Sequence, residues 1–347
     1  MKTLLLRLAS ALVLLVALVA GISYSWTFTP QGRLDYGAAV AARVSAWADT
    51  PLAVDVSRRA EANAAMAQVM GGPLPAGGFT QQDIEVPAPW GHVPVRVYRP
   101  DSDEPLPAVL NFHGGGFWMG DGYIFDPLVV EMALQARVAV FSVDYRLAPE
   151  YPFPAALDDC YRALQWVAEN AARFNVDPAR LGVMGQSAGG NLAAAVALKA
   201  RDEGGPKLVF QYLQVPTVDL SDRTDWPSFA EAGDDYFLKV SAFPSMRDAY
   251  LPRPQDRVDP YASPLRATSH RDLPQALVVA AQFDPLRDQA VAYAEALRAG
   301  GVPVEMVVVP GVLHGFIGTP ARAREHIAVE ARAMQQAFYP GLAQAAE

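Results

Sequence analysis

The sequence predicts an α/β fold, a mostly parallel central sheet flanked on both faces by helices. Two observations carry this expectation. Six short, nearly continuous apolar runs recur along the chain: Ala108 to Phe112, Val138 to Val143, Leu181 to Met184, Leu208 to Val215, Ala276 to Ala281 and Val304 to Val309. Between most of them lie segments with helical spacing, such as "PAALDDCYRALQWVAENAARF" and "LRDQAVAYAEALRAG". Strands covered on both faces read as unbroken apolar runs, and the crossovers that parallel pairing demands are helices. At 347 residues the chain can bury a large core, in one large domain or two smaller ones.

The elements before the sheet have a different character. Lys2 and Arg7 precede the apolar run Leu8 to Ile22, a positive flank and hydrophobic stretch that fit a secretory signal. Counted on to Phe28 the stretch is about 21 residues, enough to span a bilayer, with Tyr24 and Trp26 placed for the far interface. Residues 1–28 are therefore read as a signal peptide or an N-terminal membrane anchor. Either way the rest of the chain is exported, as a periplasmic or secreted protein or one held at the membrane.

Residues 33–70 are alanine-rich and read as one or two helices with a break at Pro51. "GGPLPAGG" (Gly71 to Gly78) then marks the best boundary in the chain. The segment 29–78 is accordingly expected to form a helical part of a cap, and 79–347 the main domain. That domain opens with "DIEVPA" and "VPVRVYRP", two strand-like runs around a turn, which predict a leading hairpin. Residues 217–262 hold many aromatics and prolines and no clear strand. So long an insertion in an α/β domain is expected to be a lid over the site.

Composition narrows the function. Lysine and arginine number 28 against 37 acidic residues, a net charge of −9, which argues against nucleic acid as a partner. The single cysteine, Cys160, excludes an intramolecular disulfide and reads as a small core residue.

In an open α/β sheet the chemistry lies just past the carboxyl ends of the strands. After "LGVM" comes Gly185-Gln186-Ser187-Ala188-Gly189. A Gly-x-Ser-x-Gly match alone arises by chance in roughly one chain in ten of this length. Its position where a strand hands over to a helix strengthens it. A nucleophile elbow needs small residues two before and two after the serine, so that strand and helix can approach. After "AVLNF" comes His113-Gly114-Gly115-Gly116-Phe117, whose glycines let backbone N–H groups converge on an oxyanion.

A serine nucleophile also needs a base. Of five histidines, His92 lies in the hairpin turn and His113 in the glycine loop, while His270 and His326 read as solvated surface. His314, just beyond the strand Val304 to Val309, remains as the base. The orienting carboxylate is expected between serine and histidine in chain order. Asp284, at a strand end and followed by Pro285, fits better than Asp288 one turn later.

"HGGGF", "DYRLAPEYPFPAALDD", "GQSAGGNLA", "DPLRD" and "HGF", in that order, resemble the hormone-sensitive-lipase-like branch of the α/β-hydrolases, which holds bacterial carboxylesterases and arylacetamide-deacetylase-like enzymes. The resemblance covers roughly residues 80–340. It implies the α/β-hydrolase fold with a helical cap, a Ser187, Asp284, His314 triad, and an oxyanion hole from the backbone N–H groups of Gly115, Gly116 and Ala188. Arg146 and Glu150 match a stretch regarded in that family as structural support. One position departs from the pattern, since Gln186 stands where the family has an acidic residue.

These readings make the expected substrate a small carboxylic ester, with no metal or cofactor. Phe117, Trp118, Phe125 and Phe316 are candidates for an apolar acyl or alcohol pocket, with core packing the alternative for each. Amide hydrolysis by the same triad is the close rival. A non-catalytic binder is the distant one: gibberellin receptors use this fold without the histidine, whereas His314 is present here.

Overall fold

The computed structural model describes residues 2–47 and 53–343, so the expected helix break at Pro51 lies outside the described residues. The chain opens with helix α1 (Lys2–Ser25), a hairpin of β1 (Phe28–Thr29) and β2 (Gly32–Arg33), then α2 (Tyr36–Trp47) and α3 (Arg59–Met70). The main domain follows in the order β3 (Phe79–Ala88), β4 (Gly91–Pro100), β5 (Leu106–Phe112), α4 (Asp126–Ala136), β6 (Ala139–Val143) and α5 (Ala155–Glu169). It continues with β7 (Val176–Gln186), α6 (Ala188–Asp202), β8 (Leu208–Gln214), α7 (Pro227–Ala232) and α8 (Phe243–Tyr250). β9 (Gln275–Phe283), α9 (Arg287–Ala299), β10 (Val304–Leu313) and α10 (Pro320–Phe338) follow.

Eight strands form one sheet in the order β10-β9-β8-β7-β5-β6-β4-β3. The pairs β3–β4 and β4–β6 are antiparallel, and the other five are parallel. The unbroken apolar runs became the interior strands: every residue of β5 and of β6 is buried. Alternation along each strand divides the core in two. Ala108, Leu110 and Phe112 pack with α5, α6 and α9 on one face, while Val109, Val138 and Val140 pack with α4 and α10 on the other. Cys160 is buried in the first of these cores.

Two strands run longer than their apolar cores predict. β7 begins at Val176, pairing there with Leu106 before its register shifts. β10 continues to Leu313 across an irregularity between Val309 and Leu313. Pro310 has no N–H for the ladder and Gly311 adopts φ +78°, so the strand bulges and then resumes.

α10 places Glu330 inside the second core, where the Tyr212 hydroxyl donates to its carboxylate. Burial pushes the Glu330 carboxyl up to about 7, against a smaller opposing effect of the Tyr212 hydrogen bond. A carboxyl raised in the folded state contributes stability below its unfolded value of 4.5 that is lost as pH rises through about 7. Glu330→Gln is therefore expected to be more stable than wild type at pH 8–9, by about 3 kcal/mol at most, and of nearly the same stability at pH 4. Thermal unfolding across that range checks the sign.

Outside these cores, α1 exposes every residue from Arg7 to Ile22, and Arg7–Ser25 is long and apolar enough to cross a membrane. α2 turns Ala38, Ala39 and Ala42 inward against Phe283, Leu313 and Tyr236, and leaves Tyr36, Val44 and Trp47 exposed.

Candidate active site

Strand register brings the chemistry to one level. Phe112 pairs with Gly185, Gln186 with Gln214, and Leu313 with Phe283. The residues that come next, His113, Ser187, Asp284 and His314, therefore all emerge from the same edge of the sheet.

At the end of β7 the chain turns sharply into α6. Ser187 takes φ +56° and ψ −115°, a conformation a non-glycine residue adopts only when its surroundings enforce it. Its N–H donates to the Gln214 carbonyl and its own carbonyl accepts from Asn191. The turn is possible because its neighbours lack side chains. A Cβ on Gly185 would sit 2.2 Å from the Gly189 carbonyl oxygen, and one on Gly189 would sit 1.9 Å from that of Phe112. Ala188 opens α6, where the helix N-terminus favours negative charge.

Three side chains form one hydrogen-bonded line. His314 Nε2 lies 3.0 Å from Ser187 Oγ, and His314 Nδ1 lies 2.8 Å from Asp284 Oδ2. The second oxygen of Asp284 accepts from the Leu286 N–H at 2.9 Å, so the carboxylate cannot swing away. A carboxylate only accepts, which assigns the imidazole proton to Nδ1 and leaves the Nε2 lone pair facing the serine hydroxyl. Asp288 does not join this line. One of its oxygens accepts from the Ser228 N–H and the other from Arg287.

The glycine loop lies beside the serine, with Gly115 at φ +126° and Gly116 at φ +59°. His113 braces its base. The imidazole stacks on Tyr145 at 4.1 Å, Nδ1 donates to the Gly114 carbonyl at 2.7 Å, and the Tyr145 hydroxyl donates to the His113 carbonyl at 2.8 Å. Burial holds the His113 imidazole below its ordinary value, so it stays neutral.

A sequence profile of the alpha/beta hydrolase fold matches residues 109–318, which contain the elbow, the glycine loop and all three members of the line. The chain belongs to the α/β-hydrolase family. Esterase LipI of Mycobacterium tuberculosis is 42% identical to this hydrolase over 241 residues, covering 68% of this chain and 74% of that protein. An ethyl acetate hydrolase of Pseudomonas putida is 38% identical over 264 residues, covering 73% and 82%. The solved structure of an arylesterase superposes with a TM-score of 0.81 at 32% identity, over 88% of this chain and 99% of that one. The hydrolase thus sits in the carboxylesterase branch of the family.

Two cavities of the hydrolase meet at Ser187 and Gly116. The larger, about 160 Å³, is lined by Phe117, Phe229, Leu238, Val240, Phe243 and Met246 among others. The smaller, about 70 Å³, is lined by Met66, Met70, Trp118, Phe125, Met246 and His314. Of the predicted pocket residues, Phe117, Trp118 and Phe125 face these cavities. Phe316 does not: it lies in the second core against Ile327 and His326, lining a separate cavity behind the elbow.

Sequence reasoning missed the methionines and most of the cap side chains, because nothing in their segments, helical or irregular, marks which face turns toward the serine. It also misread two histidines. His270 is buried with Nε2 donating to the Pro264 carbonyl at 2.9 Å, and His326 is half-buried against Phe316. Gln186 extends its amide to Gln214 at the matching end of β8, a 3.2 Å contact between two neutral groups. Arg146 is held by buried Asp159, and Glu150 by Arg59. Among the described residues, no cluster of His, Cys, Asp and Glu has the geometry to hold a metal.

Proposed function

We propose that the chain is a serine carboxylesterase in which Ser187 is the nucleophile, His314 the general base and Asp284 the orienting carboxylate. The observation that carries this reading is the unbroken Asp284–His314–Ser187 line at the edge of a glycine loop. Ser187 Oγ attacks the acyl carbonyl while His314 Nε2 takes its proton. The backbone N–H groups of Gly115, Gly116 and Ala188 hold the oxyanion. His314 then delivers the proton to the leaving alcohol, and water releases the acyl group by the same route.

Residues 29–78 and the insertion 217–262 act in this reading as a cap over the 79–347 catalytic domain. Met66 and Met70 from the first part and Phe229, Leu238 and Met246 from the second line the cavities at Ser187. Fully buried Asn191 donates to the carbonyls of Thr217 and Ala262, drawing the two ends of the insertion together at the elbow. The apolar lining and modest volumes favour esters of short to medium acyl chains. Across a p-nitrophenyl ester series the rate is expected to peak at short to medium acyl length and to fall by at least about tenfold for hexadecanoate. Matched anilides are expected to react far more slowly. A maximum at the longest chain, or anilides turned over as fast as esters, would contradict the substrate class.

α1 is read as an export signal or an uncleaved anchor. The exposed aromatics Tyr24 in its last turn and Phe28, Tyr36 and Trp47 after it support the anchor, because the amphipathic rings of Tyr and Trp suit the membrane–water boundary. The intact mass of the exported protein is expected to include α1, whereas a protein shortened by the first 20 or so residues would establish cleavage.

A further inference from the structure

Helix α3 contains no buried residue, so little apolar burial holds it in place. Its one half-buried face carries Arg59, Ala62, Asn63, Met66 and Met70, positions three and four apart that share a side of a helix. The two methionines line the smaller cavity at Ser187. The two polar residues do something different.

Both grip the segment that follows the glycine loop. The Gly120 N–H donates to Asn63 Oδ1 at 2.8 Å, and Asn63 Nδ2 donates back to the Gly120 carbonyl at 3.5 Å. Gly120 itself is pressed against the loop, for a Cβ there would lie 2.5 Å from His113 Nδ1 and 2.7 Å from the Gly114 carbonyl oxygen. Arg59 Nε donates to the Trp118 carbonyl at 2.6 Å and Nη2 to that of Ala148 at 2.8 Å. Its guanidinium also makes a two-pronged contact with the Glu150 carboxylate at 2.9 and 2.6 Å. The Ala148 N–H donates to the Phe117 carbonyl at 2.9 Å, closing a ring of bonds around residues 117–120.

We infer that Asn63 and Arg59 are positioning residues for the oxyanion hole, through which α3 fixes the backbone of residues 114–120. The inference rests on the proposed roles of Ser187, Gly115 and Gly116 and adds a function to the cap beyond covering the cavity. The tetrahedral intermediate feels an oxyanion donor more strongly than bound substrate does, and a displacement of about 1 Å at such a donor costs up to roughly 10²-fold in rate.

The test compares wild type, Asn63→Ala, Asn63→Asp and Arg59→Lys in hydrolysis of p-nitrophenyl acetate and in inhibition by an alkyl trifluoromethyl ketone, which forms a tetrahedral adduct. Asn63→Ala is expected to lower kcat about 10- to 100-fold with KM changed less than about threefold, and to weaken the ketone by the same factor. Asn63→Asp keeps an acceptor for the Gly120 N–H and should recover most of that loss. Arg59→Lys, which keeps charge but loses the fork, should show the same split between kcat and KM. Unchanged kcat, a loss confined to KM, or an unaltered ketone affinity in folded variants would overturn the inference. Ser187→Ala run alongside separates the two claims: if it keeps turnover, the underlying site assignment has failed, and if it is inactive, the Asn63 and Arg59 results bear on positioning alone.

Discussion

Asp284→Asn is expected to lower kcat for p-nitrophenyl esters by about 10⁴-fold, while Asp288→Asn stays within a few-fold of wild type. The asymmetry follows from what each carboxylate touches. Asp284 is buried and faces His314 Nδ1 at 2.8 Å, so it holds the proton on that nitrogen. An amide there can donate to Nδ1 instead, which moves the proton to Nε2 and leaves no lone pair for the serine hydroxyl. It also removes the negative charge that stabilises the imidazolium once His314 has taken the proton. Asp288, which makes no contact with His314, secures the start of α7 through the Ser228 N–H. Its loss should loosen the cap without altering the imidazole. Steady-state kcat for the two variants decides the matter, and equal or reversed losses would move the carboxylate role away from Asp284.

The hydrogen-bonded line of Asp284, His314 and Ser187 was legible in the sequence because each member directly follows a strand. Apolar runs locate strand ends, parallel pairing aligns those ends, and the residues beyond them need no further information to meet. The small residues around Ser187 were legible for a related reason, since a Cβ at Gly185 or Gly189 would fall within about 2 Å of a neighbouring backbone carbonyl oxygen. What the sequence hid depends on long-range placement without periodicity. Met246 lines the cavities at the serine from an insertion with no regular pattern, and Met66 and Met70 line the smaller one from a helix whose outer face is fully exposed. Phe316 looked like a pocket residue because it is two positions from His314. Its backbone at φ +61° instead turns it into the second core. His270 sits in a polar linker, and only the fold brings the Pro264 carbonyl and Tyr293 against its ring. Gln186 is explained in part: its partner Gln214 lies 28 residues away and becomes a neighbour only through the β7–β8 register.

Removal of the proposed nucleophile is expected to have the largest effect of all. Ser187→Ala deletes the one oxygen aligned with His314 Nε2 and retains the backbone turn, the glycine loop and both cavities. Its kcat is expected to fall by about 10⁶-fold, with the remaining rate due to the oxyanion donors and substrate binding alone. Covalent trapping reads the same claim without relying on a small residual rate. Wild type and Ser187→Ala are treated with diethyl p-nitrophenyl phosphate, which transfers its phosphoryl group to an activated serine, and the peptides are weighed by mass spectrometry. The account predicts a single diethylphosphoryl adduct on Ser187, parallel loss of esterase activity in wild type, and no adduct in the variant. An adduct on another residue, or a Ser187→Ala protein that is labelled and still turns over ester, would contradict it.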